Sequence, residues 1–348
     1  MQTIIKEDIK QICCENLPWE RLRNKRILIT GANGFLGTYI VFSLIECNRR
    51  YKTNIIINAL CRNKEKTYIR FGEYFHCNDL RFIFQDVCEE IEDIYKSDVV
   101  IHAASPANPY IVQQEPYKVI AANVLGYSTL LKKVEQWGTK EVILFSSSAV
   151  YGYSTPIQGA NEGFREGVDF TNYKDVYSLS KQMCEMMSTC YMKEKDVQIK
   201  ILRPFVVYGP GDDLNSHKAI IDFINNSIED KNIILKSNGE AIRSYVYIKD
   251  AIRAFFYIWL KGKDDVYNIS STENIYNIRQ IASVFCELNE KINIEMRIDD
   301  AEYLKTQSKI MIGINERLKR LGWTETVNIR EGIARTIKWG KEMREKIV

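Results

Sequence analysis

The sequence predicts an α/β fold, in which a doubly wound parallel sheet is followed by a smaller carboxyl-terminal α/β lobe. Short apolar runs typical of buried strands alternate with helical stretches from residue 26 to about residue 205. The first run also passes through a glycine-rich turn directly into a helix. We therefore divide the chain into a helical extension at 1–25, a sheet domain at 26–205 and a second lobe at 206–348, between which the chain can cross back.

Composition and charge are those of an ordinary globular protein. The 348 residues are 45% hydrophobic and 27% charged, and a net charge of +3 without a basic block argues against a nucleic-acid partner. No apolar run approaches the roughly 18 residues of a membrane span, and the first ten residues lack the apolar core of a signal peptide. The nine cysteines include no Cys-x-x-Cys pair, which argues against a metal site and favours reduced thiols in a cytoplasmic protein.

Residues 1–25 carry isoleucines at nearly helical spacing, which predicts a short amphipathic helix before the sheet domain. This helix either packs on the fold or contacts another subunit.

The first strand and the turn after it form the most informative stretch of the chain. Arg26–Thr30 reads as a buried strand, Thr38–Ile45 reads as a helix, and three glycines spaced by three lie between them, Gly31, Gly34 and Gly37. A helix that starts on such a turn offers free backbone N–H groups and a positive dipole end, which suit a pyrophosphate. The turn therefore predicts dinucleotide binding, with a plain strand-to-helix turn as the alternative.

The second strand, Ile55–Leu60, leaves the choice of cofactor open. In this architecture an acidic residue at its end binds the ribose 2′-hydroxyl of NAD, whereas an arginine accommodates the 2′-phosphate of NADP. Arg62 lies there, with Lys64 close by and without an acidic residue. We expect NAD, and NADP if Arg62 points inward; a solvated basic turn is the alternative.

Four further strands complete the predicted sheet: Leu80–Phe84, Ser97–Ala103, Glu141–Ser146 and Ile199–Arg203. The fourth strand of the chain runs into small residues, which let a flat ligand lie against the backbone. A long helix is predicted at Pro116–Trp137.

A serine, a tyrosine and a lysine form the chemical constellation. Ser147 follows the fifth strand, and Tyr177 and Lys181 share one face of a predicted helix. We expect the ammonium to lower the pKa of the phenol, so that it can act as a base near neutral pH. Together the three side chains would move a proton on or off a carbinol while a nicotinamide exchanges hydride at carbon. Taken alone, Tyr177 and Lys181 would be a surface helix pair.

At this point the chain resembles the extended short-chain dehydrogenase/reductase family, in the NAD-dependent epimerase/dehydratase group that acts on nucleotide sugars. The resemblance spans about Arg26 to Trp339 and is carried by the segments TGANGFLG, QDV, HAAS, NVLG, FSSSAVYG, YSLSK, LRPFVVYGPG, RSYVYIKDAIRA and LGW. It implies a Rossmann-type sheet.

The resemblance also implies roles for individual residues. Tyr177 would be the general acid/base, Lys181 would bind the nicotinamide ribose, and Ser147 would hold the reacting oxygen. The cofactor would contact a larger set, which comprises Gly31, Gly34, Phe35, Leu36, Gly37, Arg62, Asp86, Val87, Ala103, Ala104, Asn123, Tyr177 and Lys181. Asn123 would lie in the helix behind the site, and a helix-surface amide is its alternative role.

The second lobe and the helices of the first imply further partners. The nucleotide-sugar substrate would contact Ser147, Ser148, Tyr208 and Arg243, of which Arg243 presents a planar fork suited to phosphate. A structural salt bridge is the alternative for Arg243. Family members commonly dimerise through two helices per subunit, here Pro116–Trp137 and Tyr177–Lys193, so a homodimer is implied.

The segment after the fifth strand bears on the reaction. In resembling 4,6-dehydratases and uronate decarboxylases it carries acidic residues, whereas this chain has Ser148 and Ala149. This favours an epimerase that oxidises a nucleotide-linked hexose at C4. A dehydratase or decarboxylase using Glu162 or Asp175, an NADPH-dependent keto-sugar reductase and a non-catalytic cofactor-binding scaffold are the alternatives. The segment Met311–Asn315 replaces the usual aspartate and leaves a second phosphate contact unassigned.

Overall fold

Seven parallel strands form the central sheet of the computed structural model, which describes residues 2–106, 109–263, 265–298 and 309–345. The strands are β1 (Arg26–Thr30), β2 (Ile56–Cys61), β3 (Leu80–Phe84), β4 (Val99–His102), β5 (Glu141–Phe145), β6 (Gln198–Pro204) and β10 (Val266–Ile269). The sheet order is β3-β2-β1-β4-β5-β6-β10. The order runs outward in both directions from β1, which confirms the predicted doubly wound, Rossmann-type fold.

Helices lie before, between and after these strands along the chain. In chain order they are α1 (Thr3–Ile12), α2 (Phe35–Tyr51), α3 (Lys64–Phe71), α4 (Pro109–Gln114), α5 (Pro116–Ile120), α6 (Gly126–Trp137), α7 (Val176–Glu194), α8 (Ala219–Ile228), α9 (Ile248–Lys261), α10 (Ile278–Leu288), α11 (Glu316–Lys319) and α12 (Ile329–Glu345). The predicted helix at Pro116–Trp137 is divided into α5 and α6 by a π-helical turn at Ala121–Leu125.

The strand register brings the ends of three strands together. Thr30 at the end of β1 lies opposite Leu60 of β2 on one side and His102 of β4 on the other. The carboxyl ends of these parallel strands therefore meet at one edge, where the glycine turn follows β1. In doubly wound sheets this edge is where ligands bind.

The second half of the chain contributes to both parts of the molecule. β7 (Val206–Tyr208), β9 (Ile242–Tyr247), β11 (Ile275–Asn277) and β13 (Ile310–Met311) form a small sheet, and β8 (Ile233–Leu235) pairs with β12 (Ile294–Met296). β10 returns to the central sheet beside β6. The boundary at 205/206 is therefore a division of the sequence and does not coincide with the edge of the central sheet. The division into two lobes remains a proposal.

The amino-terminal helix α1 is part of the core. Its isoleucines at positions 4, 5, 9 and 12 are buried, and it packs on α2 and α9. The buried carboxylate of Asp8 accepts hydrogen bonds from Tyr247 at 2.9 Å and from Arg335 at 2.8 Å. Since Tyr247 lies in β9 and Arg335 in α12, this helix ties the amino-terminal end to the second half of the chain.

All nine cysteines lie in the described residues, and none of them forms a disulfide. None of the helices in the described part of the chain combines the length and the apolar content needed to cross a bilayer.

Candidate active site

The glycine turn forms a cradle that side chains would fill. Gly31 has a φ of +68°, and a Cβ there would lie 2.8 Å from the Ala104 backbone. A Cβ on Gly37 would overlap the carbonyl oxygen of Gly31. Helix α2 begins after Gly34, and no side chain caps it. Because the first N–H groups of a helix lack intrahelical partners, this uncapped end fits the pyrophosphate of a dinucleotide, at Gly31, Gly34, Phe35, Leu36 and Gly37.

The end of β4 is fixed against this cradle by Thr30. The Ala103 N–H donates to the Thr30 carbonyl at 3.2 Å, and the Ala104 N–H donates to Thr30 Oγ1 at 3.2 Å. Thr30 Oγ1 also lies 2.8 Å from His102 Nδ1. Burial, followed by the charge of Lys181, lowers the pKa of His102 to about 3, so this imidazole is neutral at physiological pH and serves as a fixed support.

On the other side of the turn lie Arg62, Asp86 and Val87. Arg62 Nη1 is 3.7 Å from Asp86 Oδ2, and Asp86 Oδ1 accepts the Cys88 N–H at 3.0 Å. The hydrogen bond from the Cys88 backbone is the main cause that lowers the pKa of Asp86. Val87 is buried against Gly126, where a Cβ would lie 2.8 Å from Val87 Cγ1.

Ser147 and Tyr177 are brought together from two elements. Ser147 follows β5 and precedes a 3₁₀ turn at Ser148–Tyr151, whose Ala149 N–H donates to Ser147 Oγ at 3.1 Å. Tyr177 is in the first turn of α7. Burial raises the pKa of the Tyr177 phenol above its usual value, and the neighbouring hydroxyls of Ser147 and Ser105 counteract part of this rise.

The ammonium of Lys181 was expected beside the Tyr177 phenol, but it contacts a strand end instead. The side chain is buried, and Nζ donates to the Phe145 carbonyl oxygen at the end of β5, at 2.8 Å. Burial lowers the pKa of Lys181 to about 8. The prediction that this ammonium lowers the pKa of Tyr177 is wrong for this structure, because Nζ points to the strand end and the pKa of the phenol is raised.

Asn123 lies in the π-helical turn and is fully buried. Its Nδ2 donates to Ser180 Oγ at 2.8 Å, and Ser180 in turn donates to the Tyr177 carbonyl at 2.9 Å. The backbone carbonyl of Asn123 accepts a hydrogen bond from the Cys184 thiol at 3.2 Å. Asn123 therefore braces α7 from behind instead of lying on the helix surface.

A buried ion pair under the site was missed by the sequence reasoning. Glu185 and Arg203 form a two-point ion pair, in which Arg203 Nε donates to Glu185 Oε1 at 2.8 Å. Ser146 Oγ donates to the same Glu185 oxygen at 2.6 Å, and Arg203 Nη1 donates to the Tyr151 hydroxyl at 2.9 Å. The pair ties the serine turn after β5 to the helix that carries Tyr177. Two features of the sequence could have indicated this ion pair. Glu185 lies four residues after Lys181, and Arg203 is a charged residue in the mostly apolar sixth strand.

Ser105 was also missed as a site residue, although it closes the HAAS segment. Its Oγ is buried and forms no hydrogen bond of good geometry with the described residues, yet it lies close enough to Tyr177 to lower the pKa of the phenol.

The predicted substrate residues have different positions. Ser148 is partly exposed in the turn after Ser147. Arg243 in β9 donates from Nη1 to the carbonyls of Ile242 at 2.8 Å and Lys309 at 3.3 Å, and burial lowers its pKa. Tyr208 is not brought to the serine–tyrosine pair: it is 0% exposed in β7, and a Cβ on Gly332 of α12 would overlap its hydroxyl. Its position gives no support to a substrate contact.

Both carboxylates considered as alternative acids are held by other groups. Glu162 Oε1 accepts the Asn268 N–H at 3.0 Å, and its Oε2 is 3.4 Å from Arg317 Nε. Asp175 Oδ2 accepts from the Tyr153 hydroxyl and from the Asp169 N–H.

The segment Met311–Asn315 packs within the second half of the chain. Met311 pairs with Arg243 across β13 and β9, and Asn315 Nδ2 donates to the Ser270 carbonyl at 2.7 Å. The second phosphate contact therefore stays unassigned.

The arrangement is suited to proton transfer beside a dinucleotide. It combines an uncapped helix end, two serine hydroxyls beside one phenol and a buried lysine whose pKa is lowered to about 8. Within the described ranges no three His, Cys, Asp or Glu side chains are arranged to hold a metal ion.

Comparison with known proteins identifies the family of this arrangement. Residues 27–270 match the model of the "NAD dependent epimerase/dehydratase family". The UDP-glucuronic acid decarboxylase 3 of Arabidopsis thaliana is 26% identical over 315 residues, covering 89% of this chain and 87% of that protein. The UDP-glucuronate 4-epimerase of Thermodesulfobacterium geofontis is 25% identical over 328 residues, covering 92% of this chain and 97% of that protein.

A solved structure shares the fold. It is the UDP-glucuronic acid 4-epimerase of Bacillus cereus in complex with UDP-glucuronic acid and NAD, with a TM-score of 0.77. The match covers 91% of this chain and 99% of that chain at 22% sequence identity.

Proposed function

Because this chain belongs to the NAD dependent epimerase/dehydratase family, whose members are enzymes of the short-chain dehydrogenase/reductase type, we propose that it epimerises a nucleotide-linked hexose through transient oxidation at C4. NAD is the cofactor of the family. The observation that carries the proposal is the meeting of Ser147 and Tyr177 one helical turn from Lys181, at the sheet edge where the glycine cradle lies.

Each residue has one task in this reaction. Ser147 holds the C4 oxygen of the sugar by a hydrogen bond, and the Tyr177 phenolate accepts the proton of the C4 hydroxyl. A nicotinamide bound there would supply the hydride chemistry, taking up the hydrogen of C4 as hydride and giving it back from the opposite face of the keto sugar. Tyr177 then returns its proton to the C4 oxygen, so the sugar gains and loses no atoms.

Lys181 and the cradle hold the cofactor during both half-reactions. Gly31, Gly34 and Gly37, with the N–H groups of Phe35 and Leu36, bind the pyrophosphate. Asp86 and Val87 flank the adenine, Ala103 and Ala104 lie along the cofactor, and Lys181 binds the nicotinamide ribose. Asn123 acts through Ser180 by fixing the first turn of α7.

Epimerisation is favoured over elimination or decarboxylation by the residues beside Ser147. Ser148 and Ala149 cannot donate or accept the additional proton that those reactions require. Glu162 and Asp175 are 5% exposed and hydrogen-bonded elsewhere, so neither supplies that acid. The chain therefore differs here from what its resemblance to decarboxylases and dehydratases alone would suggest.

The substrate is a nucleotide sugar in this proposal, with Arg243 as the phosphate ligand. A guanidinium donates paired hydrogen bonds to phosphate oxygens. The guanidinium of Arg243 extends from β9. Ser148 lies next to the sugar. Tyr208 supports β9 from the core, where its ring packs on Tyr245 and Tyr247.

We also propose a homodimer formed by α5, α6 and α7, in a cytoplasmic protein. Large apolar side chains on these helices and the turn between them are exposed: Tyr117, Ile120, Leu125, Met183 and Met186. A second copy of the same face would cover them, as expected for a two-fold interface.

The experiment that tests the function replaces Tyr177 with phenylalanine. Wild-type protein should convert a UDP-hexose into its C4 epimer, followed by NMR of the sugar. In Tyr177→Phe we expect kcat to fall by about 10²- to 10⁴-fold because the acid/base is lost, while bound cofactor stays at the wild-type level. Equal turnover by both proteins would contradict the proposal, and a protein that binds cofactor but turns over no nucleotide sugar in either form would be the scaffold instead.

A further inference from the structure

The tip of β2 has an unusual set of side chains for a site that binds NAD. The strand ends at Cys61, and Arg62, Asn63 and Lys64 follow. In a doubly wound sheet a carboxylate at this place accepts hydrogen bonds from the ribose hydroxyls, whereas an arginine accommodates a 2′-phosphate. Burial raises the pKa of the Cys61 thiol to about 11, so no negative charge arises there at neutral pH.

The structure locates the Arg62 guanidinium at the adenosine end of the cofactor site. β2 lies between β1 and β3 in the sheet, so its tip lies between the glycine turn and Asp86. Arg62 points toward the Asp86 side, at 3.7 Å. Asn33 in the glycine turn donates to the Asn63 carbonyl at 3.0 Å and to Thr67 Oγ1 at 2.9 Å. The basic tip is therefore tied to the pyrophosphate cradle.

The ion pair with Asp86 is weak enough to be exchanged for a ligand. Its atoms are 3.7 Å apart, and the Arg62 side chain is 74% exposed, which places it among the surface pairs of small energy. Asp86 keeps the Cys88 N–H as a partner at 3.0 Å when Arg62 turns away. A phosphate dianion, in contrast, accepts two parallel hydrogen bonds from one guanidinium.

A second cation lies on the same side. Lys64 Nζ is 5.6 Å from the centre of the Phe84 ring, which ends β3 and is 40% exposed. Both Lys64 and Arg62 therefore lie over the carboxyl ends of β2 and β3, where the ribose of a dinucleotide would lie.

We propose that the adenosine end of this cofactor site binds a ribose 2′-phosphate, so that the chain takes NADP in preference to NAD, with Arg62 as the phosphate ligand and Lys64 as a second cation. The inference goes beyond the cofactor for which the family is named. It rests on the proposed cofactor site, and it holds whichever reaction the sugar undergoes.

The test uses two fragments that differ only in the 2′-phosphate, adenosine 2′,5′-bisphosphate and adenosine 5′-monophosphate, titrated into the full-length protein by calorimetry. A charged hydrogen bond is worth about 1.5–3 kcal/mol, so we expect the bisphosphate to bind about 10- to 100-fold more tightly. Arg62→Ala should remove this preference and leave the monophosphate affinity unchanged. Arg81→Ala is the matched control, since Arg81 lies near the amino end of β3.

Equal binding of the two fragments, or a preference that survives Arg62→Ala, would overturn the inference. So would release of NAD alone from the denatured purified protein, whereas release of NADP would support it. Neither fragment carries a nicotinamide or needs a sugar, so a failed fragment test leaves the epimerase proposal standing. A protein that passes it without turning over any nucleotide sugar refutes only that proposal.

Discussion

The Tyr177 phenol lies beside two serine hydroxyls, while the Lys181 ammonium is directed elsewhere. Burial disfavours the phenolate, and the hydroxyls of Ser147 and Ser105 favour it. Lys181 Nζ is held by the Phe145 carbonyl at 2.8 Å. We infer that the serines, and the positive charge of an oxidised nicotinamide when bound, activate the phenol more than Lys181 does.

The tight packing of the glycine turn leads to a prediction about Gly37. In Gly37→Ala the added methyl group would overlap the Gly31 carbonyl, so the turn must open and lose its fit to pyrophosphate. We expect at least about tenfold weaker binding of the dinucleotide, measured by calorimetry. Gly72→Ala is the control, because a Cβ there meets nothing within 4 Å; an equal loss of affinity in both variants would contradict the cradle.

Single residues were predicted from the sequence where a local pattern fixes them. The glycine spacing and the Tyr177–Lys181 spacing are local, and the structure places these residues at the sheet edge. What the sequence could not give is the direction of a side chain. Whether Lys181 points to the phenol or to Phe145, and whether Tyr208 faces a ligand or the core, depends on packing between distant segments.

The Glu185–Arg203 ion pair couples the serine turn after β5 to helix α7. Arg203 is 2% exposed and Glu185 is 13% exposed, so removing one partner leaves a buried charge. We expect Glu185→Gln to lower the free energy of unfolding by about 3–5 kcal/mol, measured by urea denaturation.

An exposed pair provides the control for this substitution. Glu287 is 60% exposed beside Arg330, and Glu287→Gln should cost about 0–1 kcal/mol. Similar costs for the two variants would mean that the buried pair does not hold the turn to the helix.

Strands were predicted well, and breaks in helices were not. β1 and β3 have the predicted bounds, Arg26–Thr30 and Leu80–Phe84, and the other four predicted strands match within two residues at either end, because buried parallel strands are continuous apolar runs. The π-helical turn at Asn123 was missed, since it follows from contacts with Ser180 and Cys184 of another helix. β10 was missed because four residues give no periodicity and its partner β6 lies about 60 residues away.

The apolar face on α5 to α7 predicts an assembly of two copies of the chain. Met186 is 59% exposed on α7, and Met186→Asp should place a charge in the interface and convert a dimer to a monomer, measured by light scattering. Ile69→Asp, at an apolar residue of α3 that is 79% exposed, should leave the dimer intact. A wild-type mass of one chain would contradict the assembly.

A partly buried carboxyl in the second half of the chain, Glu325, predicts how stability changes with pH. Burial, and to a lesser extent repulsion from Asp250 and Glu273, raises the pKa of Glu325 to about 7, although Ser271 donates to it at 2.8 Å. Between its usual pKa of 4.5 and about 7, the folded state holds a proton that the unfolded state has lost. The contribution of Glu325 to the free energy of unfolding therefore decreases as pH rises through this window.

Substitutions at this carboxyl test the sign. Glu325→Gln should remove this decrease from urea-denaturation curves taken across the window, relative to wild type. Ser271→Ala removes the hydrogen bond that lowers the pKa, so it should extend the decrease to higher pH. A Gln variant with an unchanged pH dependence would show that Glu325 does not titrate in this way.

Deuterium at C4 would show whether Tyr177 and a retained nicotinamide oxidise and reduce that carbon of a nucleotide-linked hexose. UDP-glucose and UDP-glucuronic acid carrying deuterium at C4 would be incubated with the purified protein in ordinary water, and the product analysed by NMR. We predict that the C4 epimer appears with its deuterium retained, and that Tyr177→Phe forms it at least about 100-fold more slowly. Loss of the deuterium to solvent, or undiminished turnover by Tyr177→Phe, would contradict the proposed reaction at C4.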